Sequence, residues 1–440
     1  MTFRPRLSAL AIPGVTLGLL LAALVLPGCG GPKPERSGRV FLIGLDGATW
    51  DLIDPQLRAG RMPNLQSLID EGLRADLGSM LPNKSPALWT SVATGKEFDK
   101  HGINDFTEVV FEDGTKNMKV MHMTSNMRTT KALWNLVGGD RGRTAFVGWW
   151  VSYPAEEVDG YVVSSRVPLS QSGGKGAPTK GILTADGVGG QTWPPELYDD
   201  IADLIVPAEE VTFEQAQQFM DLREDELDRD IVAGFRWAYS SDETYLAVAK
   251  HLLERDPDLD LWGLYFNGVD VVSHRYWQFL EPSKYRNVNT EEIPRFRDVI
   301  QRYYLYTDEL LGEILEYRRP DDTIVIVSDH GFRAHGHKDG PSGILIAAGK
   351  HVQAGVELDD AQLIDVAPTV LALLDIPASE DMDGRVLDEI FTEEWAAAYN
   401  RQGPESYDTP EWLAARSEIP IPSDGDEELL KRLEALGYMD

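Results

Sequence analysis

One cysteine in 440 residues, Cys29, leaves no intramolecular disulfide to hold the fold together. It also means that any metal here would be held by oxygen and nitrogen rather than by a thiolate cage. No Gly-x-Ser-x-Gly turn is present, so an α/β-hydrolase reading fails at its nucleophile. No Gly-x-x-x-x-Gly-Lys-Ser/Thr loop is present either, so nothing points to a P-loop nucleotide hydrolase. Positive charge is scarce: 41 Lys and Arg face 72 Asp and Glu, a net charge of −31. So acidic a surface repels nucleic-acid polymers and anionic membranes. It does not exclude a small phosphorylated substrate whose charge a local metal site offsets. There is no internal repeat and no low-complexity block.

Only one apolar run approaches membrane-spanning length, about Leu7 to Leu26, behind Arg4 and Arg6 and broken by Pro13. With Leu26-Pro27-Gly28-Cys29 it reads as a basic segment, an apolar segment and a cleavage site, so residues 1–28 are expected to be a signal peptide. The last four residues resemble the lipobox of bacterial lipoproteins, in which the cysteine is acylated and becomes the new N-terminus. The competing readings are an uncleaved anchoring helix and ordinary secretion. Gly30, where an aspartate would retain a lipoprotein elsewhere, implies the periplasmic side of the outer membrane. Residues 29–38 read as a tether.

What the chain does have is aromatic and apolar mass, with 11 Trp, 15 Tyr and 42% hydrophobic residues, enough for a large core. Arg39 to Leu45, Leu259 to Phe266, Thr323 to Ser328 and Gly343 to Gly349 are apolar almost throughout, as strands buried on both faces are. Arg143 to Val151 reads the same way. Helices are expected over Met62–Gly72, Lys131–Val137, Ile293–Tyr317, Asp365–Leu374 and Asp426–Leu436. Strand and helix alternate, which argues for an α/β three-layer sandwich around a central, mostly parallel sheet. Residues 39–395 are expected to form this catalytic domain. Leu169–Thr192 reads as loop and Pro194–Arg255 as helical, so about 155–240 is expected to be a cap inserted over the core. Residues 396–440 form a tail ending in a short helix.

Ser85 sits just before Pro86, a residue suited to the first turn of a helix that Gly95 can end. There the backbone N–H groups and the helix dipole favour negative charge, so the hydroxyl could act as a nucleophile if its pKa were lowered. Groups able to hold a metal follow the strands. Asp46 closes the first, and strand ends of open α/β sheets host ligands. Asp270 and His274 are four apart, a spacing that puts both on one face if the segment is helical. Asp329 and His330 close another strand, with His335 and His337 just beyond. Such an oxygen and nitrogen set suits zinc or manganese.

Leu45-Asp46-Gly47, Lys84-Ser85-Pro86 with Thr94-Gly95, His101-Gly102-Ile103, Asp270-x-x-x-His274 and Ser328-Asp329-His330-Gly331 occur in that order. Together they resemble the alkaline phosphatase superfamily, most closely its type I phosphodiesterase/nucleotide pyrophosphatase branch. Trp149-Trp150 with Tyr153-Pro154-Ala155-Glu156, Asp365-Val-Ala-Pro-Thr-Val and Leu436-Gly437-Tyr438 are similar to bacterial members. The resemblance implies two divalent ions, usually zinc. Asp46, Ser85, Asp329 and His330 would hold one; Asp270, His274 and a later histidine would hold the other. His337 is the nearer to the next strand and His335 is its rival. Ser85 would attack phosphorus and form a phosphoserine that water then hydrolyses. Asn104 is the expected neutral donor to a phosphodiester's oxygens. Lys84 would orient the phosphate, unless it is simply a solvated lysine flanking the helix. A phosphomonoesterase, phosphonate hydrolase or phosphoryl transferase on the same scaffold is the alternative. A binding protein of the cell envelope with a vestigial metal site is the alternative of another class. The sulfatase pattern, with an arginine two beyond the proline, is missing because Leu88 stands there.

Overall fold

The computed structural model describes residues 38–111, 118–168, 190–337, 340–423 and 426–436. The expected signal peptide and tether, and Gly437 and Tyr438 of the terminal motif, lie outside the described residues except for Gly38. Most of the expected loop at 169–192 lies outside them too.

The strands are β1 Val40–Leu45, β2 Leu73–Leu77, β3 Thr107–Phe111, β4 Met118–His122 and β5 Thr144–Val147. They continue with β6 Gly160–Val163, β7 Thr192–Trp193, β8 Leu261–Phe266, β9 Thr323–Val327 and β10 Gly343–Ala348. Eight of them form one sheet in the order β2-β10-β9-β1-β8-β5-β6-β7, and β3 and β4 form a separate hairpin. From β9 to β6 the pairing is parallel, while β10 pairs antiparallel with both β9 and β2, and β7 antiparallel with β6. Every residue of β1, β5, β8, β9 and β10 is buried, as their unbroken apolar sequences require. Helices flank the sheet. Those at Pro63–Glu71, Asp230–Arg255, Gly268–Leu280 and Val299–Leu315 form one packed group, and those at Ser85–Thr94 and Val366–Leu373 form another. This is the α/β architecture expected from the alternation, a mostly parallel sheet between layers of helix.

Register places the site. Leu45 of β1 lies opposite Phe266 of β8, and Gly44 opposite Val327 of β9. The residues just past those three strands, Asp46, Asn267 and Ser328–Asp329, therefore emerge side by side at one edge of the sheet.

Four local expectations are corrected. Residues 155–240 are not a separate cap throughout, because β6 and β7 extend the central sheet. Within 194–255 the first part is short helices and turns, and Asp230–Arg255 is one 26-residue helix packed on β5 and β8. The strand expected to reach Val151 stops at Val147, where Gly148 turns with φ +78°. The helix expected over Ile293–Tyr317 is two, Ile293–Phe296 and Val299–Leu315. The C-terminal helix Asp426–Leu436 forms where its amphipathic pattern put it. The tail leading to it lies against the body: Ser417 N–H donates to Asn126 O (2.9 Å) and Ile421 N–H to Thr124 Oγ1 (3.1 Å). Among the described residues no helix is long and apolar enough to cross a membrane.

Candidate active site

Two groups of side chains converge at the carboxyl edge of β1, β8 and β9. Ligand atoms of Asp46, Asp329 and His330 lie within 4.8 Å of one another, and those of Asp270, His274 and His337 do the same. Asp46 reaches the first group from the end of β1, Asp329 and His330 from the end of β9. Asp270 and His274 project from one face of helix Gly268–Leu280, as their spacing requires. The groups adjoin: the rings of His330 and His337 stack at 4.1 Å, and the ring of His274 lies 5.2 Å from His337. Gly47 allows this closeness. Its φ is +69°, and a Cβ there would come within 2.9 Å of Asp270.

Hydrogen bonds fix which atoms face the site. The Nδ2 of Asn83 donates to the carbonyl of His337 (3.1 Å), so its Oδ1 is free to accept from His337 Nδ1 (3.0 Å). The Nδ1 of His330 lies 3.2 Å from the Gly331 carbonyl, which can only accept. Both imidazoles therefore carry their proton on Nδ1 and present a bare Nε2. In the first group the Nε2 of His330 is 3.5 Å from Asp46 Oδ1 and 3.5 Å from Asp329 Oδ2. These three atoms are buried with no hydrogen-bond partner among the described residues.

Such a cluster is costly as it stands. Burial, then the charge of Asp270, pushes Asp46 up to about 7. Burial and the charge of Asp46 hold Asp329 well above the carboxylate range. Burial drives His274 and His337 down to about 3, and His330 well below its ordinary value. Carboxylates that resist ionisation beside imidazoles that refuse protons are in want of a cation. The unpartnered His330 Nε2, Asp46 Oδ1 and Asp329 Oδ2 among the described residues, and the absence of thiolate, fit a divalent cation.

Ser85 is the first residue of helix Ser85–Thr94, which Gly95 ends in the left-handed conformation. It is 1% exposed, and its Oγ has no hydrogen-bond partner among the described residues. Two neighbours place it. Asn83 holds His337 of the second group. One turn along, Trp89 packs edge-on against Tyr265 at 5.0 Å, and Tyr265 donates its hydroxyl proton to Asp46 Oδ2 in the first group. The segment that carries the serine thus contacts the second group through Asn83 and the first through Trp89 and Tyr265.

The remaining expected residues fare differently. His335 does not join the site; it is exposed, its ring lies 4.4 Å from that of Tyr285, and its N–H donates to the Tyr285 hydroxyl (2.8 Å). Of the two rival histidines, His337 is the one the fold brings to Asp270 and His274. Lys84 precedes the serine, with its Nζ 3.7 Å from Asp105 and 5.6 Å above the Phe106 ring. Asn104 is exposed, and among the described residues no hydrogen bond or ion pair joins it to either group.

Sequence reasoning missed several supports. Asn83 immediately precedes the Lys84-Ser85-Pro86 motif but carries no ligand signal of its own. Tyr265 was hidden inside an apolar strand; a hydroxyl next to last in a buried strand, where ligands gather, was the available clue. Trp150 donates to the Tyr265 oxygen (2.6 Å) and fixes it. Asp242, from helix Asp230–Arg255, accepts from the Asn267 N–H (3.1 Å) and the Tyr303 hydroxyl (2.9 Å), which secures the start of the helix bearing Asp270.

Comparison with known proteins follows the same lines. A mutant of the alkaline phosphatase PafA aligns over 81% of this chain and 99% of its own, at 12% identity and a TM-score of 0.52, which shows a shared fold. Phosphonoacetate hydrolase from Sinorhizobium meliloti 1021 aligns at 17% identity and a TM-score of 0.38 over 70% of this chain. The chain spans 60% of that hydrolase's length. No curated protein matches the chain in sequence. The profile of one family covers residues 40–371, from the first strand into the helix Val366–Leu373. The chain belongs to the type I phosphodiesterase/nucleotide pyrophosphatase family.

Proposed function

We propose that this protein is a metal-dependent hydrolase of phosphate diesters or nucleotide pyrophosphates, and that Ser85 carries the phosphoryl group between two half-reactions. One observation carries the reading. A buried serine hydroxyl without a hydrogen-bond partner among the described residues stands at a helix start, two residues after the Asn83 that holds His337, in a chain with two candidate ligand clusters, the ligand atoms of each lying within 4.8 Å of one another. Bound divalent ions would supply positive charge that acidifies a nearby hydroxyl and steadies a phosphate ester's oxygens. The chain's own residues do the rest. Asp46, Asp329, His330 and Ser85 would hold one ion, and Asp270, His274 and His337 the other. The Ser85 oxygen attacks phosphorus, forming one P–O bond as the bond to the leaving alkoxide of a diester, or the leaving phosphate of a pyrophosphate, breaks, and water later takes the substituted phosphoryl group from the serine. Asn83 and Tyr265 keep His337 and Asp46 in place.

A diester preference is supported by the neighbourhood of Ser85. Lys84 is the cation beside it, and Asp105 at 3.7 Å offsets that charge. A singly charged diester suits such a site better than a dianionic monoester. Initial rates on bis(p-nitrophenyl) phosphate and p-nitrophenyl phosphate, with zinc or manganese supplied, test this. We expect faster diester turnover, lost on chelation and lost in Ser85→Ala. A strong preference for the monoester would move the protein to the phosphomonoesterase reading. We also infer anchoring in the cell envelope through acylated Cys29, on the strength of Leu26-Pro27-Gly28-Cys29. Incorporation of a labelled fatty acid, abolished by Cys29→Ser, is the expected result; unlabelled wild type would refute it.

A further inference from the structure

Just past β5 the chain makes a turn that its sequence resists. Gly148 takes φ +78°, and Val151 is held at φ +55°, where β-branched residues rarely sit. Such strain persists only where the surroundings enforce it, and between these two positions stands Trp150.

The Trp150 indole N–H can only donate, and it donates to the Tyr265 oxygen (2.6 Å). The phenol therefore turns its own proton to Asp46 Oδ2. Asp46 Oδ1, without a hydrogen-bond partner among the described residues, is left 3.5 Å from His330 Nε2. One carboxylate oxygen thus belongs to the protein scaffold and the other to the first cluster.

Trp150 in turn packs against two apolar groups. One is Ile103, Met123, Met127 and Val151; the other is Phe106, Leu429 and Leu433. Leu429 and Leu433 are four apart on one face of the C-terminal helix Asp426–Leu436. Polar contacts pin the first turn of that helix: Arg166 Nη1 donates to Asp426 Oδ1 (2.6 Å), and His122 Nε2 to the Asp426 carbonyl (3.1 Å). The helix lies beyond the 40–371 family match, yet it backs the tryptophan that orients a ligand of the first cluster.

Resting on the reading of Asp46, Asp329 and His330 as cation ligands, we propose that Trp150 is a positioning residue for the first cluster and that the C-terminal helix is its brace. Leu429 and Leu433 hold the indole, the indole holds Tyr265, and Tyr265 holds Asp46 with Oδ1 turned to the other ligands. Loosening the helix therefore weakens the first site from a distance. The helix also touches helix Gly268–Leu280, which carries the second cluster, so the two clusters have to be measured separately.

Zinc competition against a chromophoric chelator does this in two full-length backgrounds, His337→Ala to isolate the first cluster and Asp329→Ala to isolate the second. Trp150→Phe keeps an aromatic ring at a partly buried position and removes the N–H. It should weaken zinc about tenfold or more in the first background and leave the second unchanged. Tyr265→Phe should cause a similar loss, and adding Trp150→Phe to it should cost nothing further, because the indole acts through the phenol. Leu433→Ala should weaken the first cluster about fivefold, more than the second, and Leu433→Met should restore most of that loss. Melting temperatures confirm folding, and the Trp150→Phe and Tyr265→Phe set decides the matter even if Leu433→Ala does not fold. Unchanged first-cluster affinity in Trp150→Phe, equal losses in both backgrounds, or losses that add with Tyr265→Phe overturn the brace alone. A wild type that binds neither zinc nor manganese refutes the cation reading, and the brace with it.

Discussion

Lowering the pH should release cations from the folded protein by protonating carboxylates, not histidines. At the ordinary histidine value of about 6.5, three protons would compete for the site just below neutrality. Burial removes that competition, holding His274 and His337 at about 3 and His330 well below its usual value. Asp46 behaves in the opposite sense, keeping its proton up to about 7. Asp329 is raised as well. A cation entering the first cluster must therefore displace at least one proton below that point. Each displaced proton weakens binding tenfold per pH unit. Between about pH 7 and about pH 5 the loss is roughly a hundredfold, or about 3 kcal/mol at 1.36 kcal/mol per unit, and more where Asp329 contributes. Affinity thus rises with pH and levels off above the Asp46 value, apart from any contribution of Asp329. Melting of the cation-free protein is a poorer reporter because two signs oppose. The raised carboxyl takes stability away as pH rises from 3.8 through about 7. Histidines lowered to about 3 take it away as pH falls below 6.5. The assay is zinc competition against a chromophoric chelator across this range. Calorimetry in two buffers of different ionisation enthalpy would count the protons released. Affinity that stays flat between about pH 5 and about pH 7, or binding without proton release there, would refute the reasoning.

Other outcomes follow from the same contacts. His337→Ala should cost the second ion, whereas His335→Ala should leave two ions bound per chain by elemental analysis. Asn83→Ala frees the His337 ring from its 3.0 Å restraint and should weaken the second site about 10–100-fold in the same chelator assay, with the fold unchanged. Gly268→Ala would set a Cβ 2.0 Å from Tyr303 Oη and 2.4 Å from Asp242 Oδ2. It should lower unfolding stability in urea by about 1–3 kcal/mol, and a neutral result would show that this packing yields easily.

How much of this was legible in the sequence depended on whether a signal was local. Apolar runs such as Val40–Leu45 and Thr323–Val327 announce buried strands, and the acid that ends each one points to the ligand edge. Asp270 and His274 advertise themselves by helical spacing. The choice between His335 and His337 is not local. It turns on Asn83, some 250 residues away in sequence, and on a Tyr285 ring that receives His335 instead. The cap was overestimated for a similar reason: β6 and β7 are only four and two residues long, too short for alternation to show. Tyr265 was hidden because its role arises from partners on other elements. Asn104 was placed by analogy, and its exposure gives that assignment no support among the described residues.

Trapping the phosphorylated enzyme tests the account most directly. Wild-type protein with zinc is mixed with bis(p-nitrophenyl) phosphate, quenched in acid during turnover, digested and sequenced by mass spectrometry. The account predicts a p-nitrophenylphosphoryl group on Ser85, one p-nitrophenolate having left, that accumulates when the following hydrolysis is slowed, and none in Ser85→Ala. Full turnover by Ser85→Ala, or phosphate found on another residue in its place, would contradict it.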